Sequence, residues 1–200
     1  MPPRTALARD KLLDAALGVI RAQGYAGTSV DDLCRAAGVT KGAFFHHFPS
    51  KEALAVEAAQ HFVAMADRLF ARAAFRAAAD PLDRLLGYVA FRREIIAGEF
   101  ADFTCLAGTM VQESYSTSPA IRAACEAAIL GHAATLEPDI AAAMAARGMQ
   151  GDPASLARHI QAVIQGGFIL AKAGGSAVLA RDSLDHLLAY LNLLFKGETT

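Results

Sequence analysis

Thr28-Ser29-Val30-Asp31-Asp32-Leu33-Cys34-Arg35-Ala36-Ala37-Gly38-Val39-Thr40-Lys41-Gly42-Ala43-Phe44-Phe45-His46-His47-Phe48-Pro49-Ser50-Lys51 carries two helix starts, a glycine turn and a proline stop within 24 residues. Ser29 stands where a side-chain oxygen can take up the free backbone N–H groups of a helix start, and Asp31 and Asp32 suit the positive end of that helix. Leu33, Cys34 and Ala37 carry the helix as far as Gly38. After the single residue Val39, Thr40 is a second cap, so a third helix is expected from Lys41 to about Phe48. Pro49 ends it, because proline disfavours helical geometry in the residue before it. Two short helices joined by a tight glycine turn make a helix-turn-helix.

Working outward, Leu13, Ala16, Leu17 and Ile20 follow the i, i+3, i+4, i+7 rhythm of a helix burying one face, and Gly24 stops that helix with Tyr25 as the accompanying apolar contact. Downstream, Ser50 caps a fourth helix whose expected buried stripe is Leu54, Ala58, His61, Phe62, Met65 and Leu69. Beyond Asp80-Pro81 the pattern predicts helices at about 82–98, 101–114, 119–147, 153–173 and 181–195. Pro138 falls inside the third of these, where a kink or a split is expected. The fold class is all-α, with no internal repeat and no low-complexity linker.

Composition agrees with helices throughout: 54% of residues are hydrophobic, alanine is abundant, and strand-forming residues are sparse. The net charge of −1 and pI of about 6.6 lack the strong basic bias of many nucleic-acid binders. The bias is local instead: residues 1–55 hold seven Lys/Arg against five Asp/Glu, and the remainder twelve against fifteen. Met1 to Asp10 contain two prolines and several charges where a secretory signal needs an apolar run, and no stretch approaches the roughly 20 apolar residues of a membrane span. Cys34, Cys105 and Cys125 are odd in number and widely spaced, which fits reduced thiols in the cytoplasm. No Gly-rich phosphate loop, HExxH or nucleophile motif points to an enzyme, and nothing calls for a metal or a cofactor.

Residues 28–33 and 36–54 together resemble the DNA-binding signature of the tetracycline-repressor (TetR) family, and with the preceding helix the resemblance covers about residues 8–55. It implies an N-terminal three-helix DNA-binding head over residues 1–50. The rest, 51–200, is then a helical effector-binding and dimerisation domain. The physics of a recognition helix is independent of the name: to enter a major groove about 12 Å wide, its leading residues must be small or able to bond base edges. Thr40, Lys41, Gly42 and Ala43 meet that need. In similar proteins the positions of His46 and His47 contact DNA, and Lys51 resembles the family's phosphate-clamping lysine. Thr28 is placed for either a phosphate bond or a local cap. Phe45 departs from the family's usual tyrosine, whose hydroxyl bonds a phosphate, so one anchoring bond should be missing. Phe44 and Phe48 are expected to pack the core of the head.

The resemblance further implies a homodimer built on the last two helices. Leu156, Ile160, Val163, Ile164 and Gly167 form one apolar stripe there, and Leu184, Leu187, Leu188, Leu191 and Leu194 another; intrachain core is their other reading. Such a dimer would read a pseudo-palindromic double-stranded operator. A small-molecule effector is expected among the middle helices, with Phe62, Phe103, Cys105, Met110, Glu113, Gln165 and Phe168 as pocket candidates. The expected function is a ligand-responsive regulator, a repressor released from its operator by that effector. Two alternatives stay open: a thiol-based electrophile or redox sensor using Cys105, and a helical ligand-binding protein without DNA activity.

Overall fold

The computed structural model of the chain describes residues 4–197. The leading Met1 to Pro3, part of the stretch read above against a secretory signal, lie outside the described residues. Among the described residues eleven α-helices run in order: α1 (Arg4–Gln23), α2 (Val30–Ala37), α3 (Lys41–His47), α4 (Lys51–Ala71), α5 (Pro81–Glu94), α6 (Phe100–Phe103), α7 (Leu106–Ser114), α8 (Pro119–Ala134), α9 (Glu137–Ala146), α10 (Pro153–Gly174) and α11 (Ala177–Lys196), with one 3-10 turn at Ala74–Ala77. There is no strand among the described residues. The chain forms two compact units: one runs up to Ala66 and takes in Thr104–Ala128, the other combines Asp67–Phe103 with the chain from Ile129 onward.

The first unit is organised by the predicted stripe of α1. Leu13, Ala16, Leu17 and Ile20 are all buried, joined by Leu12, and they pack with Leu33, Phe44, Phe48, Leu54 and Ala58 of the next three helices. Burying each phenylalanine contributes roughly 1.5–3 kcal/mol. The caps fall where the sequence puts them: Asp32 N–H donates to Ser29 Oγ at 3.1 Å, Ala43 N–H to Thr40 Oγ1 at 3.2 Å, and Ala53 N–H to Ser50 Oγ at 3.0 Å. Gly38, at φ +64°, turns the chain out of α2 into the left-handed conformation that glycine adopts without steric cost.

Several expectations need correcting. The stripe on α4 is buried only in its first half, at Leu54 and Ala58; Met65 (37% exposed) and Leu69 (46%) face solvent, while Phe70 is buried instead. The helix expected at 101–114 is two: Thr104 and Cys105 break it, because Cys105 caps α7 by accepting the Gly108 N–H on Sγ at 3.3 Å. The helix expected at 82–98 stops at Glu94. At Pro138 the expected kink or split is a split: α8 ends at Ala134 and the proline sits in the first turn of α9, where its missing N–H costs nothing. Finally α11 begins at Ala177, four residues early, since Ser176 Oγ accepts the Val178 N–H at 3.3 Å.

In the second unit α10 and α11 pack tightly on each other. A Cβ on Gly167 would stand 3.4 Å from Ala180 Cα and from Ser183 Cβ, in van der Waals contact, so the backbone of α10 runs close to α11 at this point. Leu156, Ile160, Ile164, Leu184, Leu187 and Leu191 are buried inside the chain, and the outward apolar residues of this pair are Ile169, Leu170, Val178, Leu179, Tyr190 and Leu193. Arg84 with Asp139 (2.7 Å) and Arg147 with Asp80 (2.7 Å) tie α5 and its cap to α9. The Asp80 carboxyl lies below the usual carboxylate range because Arg147 and the Leu82 N–H bond it.

Candidate nucleic-acid interface

The exposed face of α3 is built from its core side. Phe44 and Phe48 are fully buried, with ring centroids 5.9 Å apart, and helical geometry then turns the intervening positions outward. Thr40, Lys41, Gly42, Phe45 and His46 are exposed, while Ala43 and His47 are half-buried. Phe45 leaves 54% of its surface in water and stands edge-on to Phe44 at 5.1 Å. Phe44 covers one side of this large apolar ring, and more than half of it stays exposed on a short polar helix. Gly42 makes a related point: a Cβ there would meet nothing nearer than Thr40 Oγ1 at 3.8 Å, so internal packing does not demand a glycine. The backbone at Gly42 is exposed.

Cations and hydroxyls near this face are engaged in the free protein. Lys41 Nζ pairs with the Asp31 carboxylate at 2.9 Å. Lys51 Nζ donates to the carbonyls of Tyr25 (3.0 Å) and Thr28 (2.8 Å) and lies 4.3 Å from the centroid of the Tyr25 ring. The lysine thus bolts the start of α4 to the α1–α2 turn. Thr28 is buried, and its Oγ1 donates to the Gly24 carbonyl at 2.6 Å. Sequence reading had left a phosphate bond and a local role open for Thr28; the bond present is the local one. His46 and His47 stand with ring centroids 4.9 Å apart at a steep angle, and no group of metal ligands occurs among the described residues.

The α1–α2 turn has a second brace, which sequence reading missed. Glu113 of α7 accepts the Ala26 N–H at 2.6 Å across 87 residues of chain. Its carboxylate fills the space beside Gly24, which has φ +83° and where a Cβ would stand 2.4 Å from Glu113 Oε1. Arg21 donates to the Thr104 carbonyl at 3.3 Å, and Ser118 Oγ donates to Glu52. All of these residues belong to the first unit.

The seven pocket candidates fall into two groups. Phe62, Cys105, Met110 and Glu113 belong to the first unit: Phe62 lies under Arg21 (5.9 Å to the ring centroid), Met110 is fully buried, Cys105 is half-buried, and exposed Glu113 serves the turn. Phe103, Gln165 and Phe168 belong to the second, where the rings of Phe103 and Phe168 meet at 6.0 Å and Gln165 is half-buried. Cys125 is inert packing: burial foremost, with Cys105 adding to it, pushes its thiol up to about 12.

Residues 12–58 match the family of bacterial regulatory proteins called tetR, and residues 81–187 match the tetracyclin repressor-like C-terminal domain. The chain is 32% identical over 114 residues, 57% of its length, to the HTH-type transcriptional repressor DhaR of Mycobacterium sp. strain GP1, and this spans 56% of that relative. It is 27% identical over 170 residues to the HTH-type transcriptional regulator LmrA of Bacillus subtilis, covering 81% of this chain and 85% of the other. A crystal structure of the regulatory protein TetR from Rhodobacter sphaeroides superposes with a TM-score of 0.82 at 26% identity, covering 94% of this chain and 99% of that one. The chain therefore belongs to the TetR family of helix-turn-helix transcriptional regulators.

Proposed function

We propose that the protein is a cytoplasmic repressor that binds double-stranded operator DNA as a twofold homodimer and lets go when a small molecule occupies its C-terminal domain. The carrying observation is the outward face of α3, where Thr40, Lys41, Gly42, Phe45 and His46 are exposed over a fully buried Phe44–Phe48 floor. Lys41 can exchange Asp31 for a phosphate or a guanine edge, Gly42 allows backbone approach, and the half-buried Ala43 methyl fits a thymine methyl. His46 and His47 reach backbone or bases from the next turn. Lys51 and Thr28 act first through the α1–α2 turn that they hold, and a phosphate on the Lys51 ammonium would replace carbonyl bonds already made.

Release follows as a population shift. The effector must prefer a state of the dimer whose two recognition helices no longer match successive grooves, since equal affinity for both states shifts nothing. The test is a gel shift with the duplex upstream of the protein's own coding sequence, against a scrambled duplex of equal length, over a series of salt concentrations. Sequence-selective retention that weakens steeply with salt, and is lost in Lys41→Ala and His46→Ala, is expected. Equal retention of both duplexes would overturn the reading.

A further inference from the structure

The second compact unit contains a side-chain cluster to which the helix-turn-helix gives no task. The guanidinium of Arg92 on α5 lies over the ring of Phe70 at 5.5 Å and over that of Phe168 on α10 at 5.7 Å. Among the described residues it has neither a hydrogen-bond acceptor nor an ion-pair partner. The contrast with its neighbours is sharp. Arg84, Arg93, Arg147 and Arg181 of the same unit are half-buried like Arg92, and each has found an acceptor: Asp139, Asp185, Asp80 and the Ile96 carbonyl. Arg76, exposed and 5.5 Å from the Phe75 centroid, is a second cation without a carboxylate among the described residues.

The surroundings of Arg92 are aromatic. The Phe70 ring meets those of Tyr88, Phe91 and His132 at 5.5, 5.7 and 5.0 Å, and Phe75 meets Tyr88 and Phe91 at about 6 Å. The Tyr88 hydroxyl is 2.9 Å from His132 Nε2. Burial first, then Arg92 and Arg76, push the His132 imidazole down to about 4, so at neutral pH it adds no charge. Five separate segments, the end of α4, the 3-10 turn, α5, α8 and α10, supply this box.

A guanidinium has five N–H donors and no means of becoming neutral, so partial removal of its water favours an anionic acceptor. Two rings lie near it and none of its N–H groups has an acceptor among the described residues, which suits a planar bidentate partner. We propose that this cluster binds the effector as an organic monocarboxylate: the acid group pairs with the N–H groups of Arg92, and an aryl or alkyl body lies against the half-buried rings of Phe75 and Phe91. Arg76 adds attraction at longer range. A cationic effector is disfavoured, because the cluster holds two cations with no carboxylate to offset them. The inference rests on the repressor reading above and names the chemistry of its ligand.

The test measures thermal unfolding of the full chain with benzoate, phenylacetate, cinnamate and octanoate, each beside its neutral primary amide. At least one acid should raise Tm dose-dependently while its amide does not. Arg92→Gln should abolish the shift, and Arg92→Lys, which keeps the charge and loses the planar fork, should weaken apparent affinity by about tenfold. No shift from any acid, equal shifts from acid and amide, or a shift surviving in Arg92→Gln overturns the proposal. If Arg92→Gln does not fold, acid against amide in the wild type and the loss in Arg92→Lys decide it. The upstream duplex supplies a second readout that separates the two claims. Release by neutral amides but not by acids removes the carboxylate site and leaves the repressor standing. A chain that binds no duplex yet is stabilised by acids through Arg92 keeps the site and removes the repressor.

Discussion

The Lys51 ammonium donates to the carbonyls of Tyr25 and Thr28 and so holds the start of α4 to the α1–α2 turn. Lys51→Met should therefore lower folding stability by about 1–2 kcal/mol in denaturant titration, since bonds from a charged donor are lost and two carbonyls are left unfilled. A lysine acting only at phosphate would leave stability unchanged and weaken DNA binding alone. Phe45 offers the converse experiment. Its ring is 54% exposed and already at the face, so Phe45→Tyr adds a donor without disturbing the core. One new phosphate bond of about 1 kcal/mol should tighten operator binding about fivefold at constant Tm, and unaltered affinity would mean the ring edge does not meet the backbone. His132 carries a pH signature with a definite sign. Its imidazole titrates at about 4 in the folded chain and near 6.5 unfolded, so between these values the unfolded state binds more protons and stability falls as pH falls. Wild type should lose about 1–2 kcal/mol more than His132→Gln between pH 7 and pH 5. Parallel stability curves would show that the imidazole is not held neutral.

Among the elements, α1 to α3 were legible in the sequence because everything that defines them is local: Ser29, Thr40 and Gly38 each act within four residues, and the Leu13–Ile20 stripe needs only helical periodicity. The α6–α7 break was not, because a cysteine is a rare cap and Thr104-Cys105 resembles a continuing helix. Nor was the outer half of the α4 stripe, where apolar spacing alone does not say whether Met65 and Leu69 find a neighbour. The brace from α7 to the α1–α2 turn was hidden for a different reason: Glu113 and Ala26 are 87 residues apart and no local pattern links them. The Arg92 cluster, assembled from five segments, was hidden in the same way. The brace predicts non-additive energetics. Gly24→Ala forces an L-residue to φ +83° and pushes its methyl to 2.4 Å from Glu113 Oε1, which should cost more than the roughly 1 kcal/mol expected from backbone strain alone. Glu113→Ala removes the clash while freeing the Ala26 N–H. The double variant should then be less destabilised than the two single changes added together, a coupling that a denaturant double-mutant cycle measures. Strict additivity would place the carboxylate elsewhere in solution.

At the scale of the whole molecule, a helix-turn-helix reads a palindrome only if two heads are held at a fixed separation, which makes the assembly surface as important as the recognition helix. The apolar stripes predicted for that role on α10 and α11 are mostly spent inside the chain, at Ile160, Ile164, Leu184, Leu187 and Leu191. What remains outside is a different face. On α11, Leu179, Tyr190 and Leu193 are separated by eleven and three residues and so fall on one side of the helix. On α10, Ala162, Gly166, Ile169 and Ala173 recur at spacings of four, three and four, and a Cβ at Gly166 would meet nothing within 4 Å. Small residues beside Leu193 (57% exposed) and Ile169 (50%) suit close approach of a second, identical pair of helices. In a twofold interface any substitution is felt twice, because the same residue is contributed by both copies. Leu193→Glu therefore sets two carboxylates into one buried patch while changing little in the isolated protomer, whose own core does not include Leu193. Sedimentation should show wild type as a dimer and the variant as a folded monomer with unaltered circular dichroism. Operator retention should fall with it, because a single head keeps only half of the contacts and no spacing. A Leu193→Glu protein that still sediments as a dimer would locate the twofold contact on some surface other than the α10–α11 face.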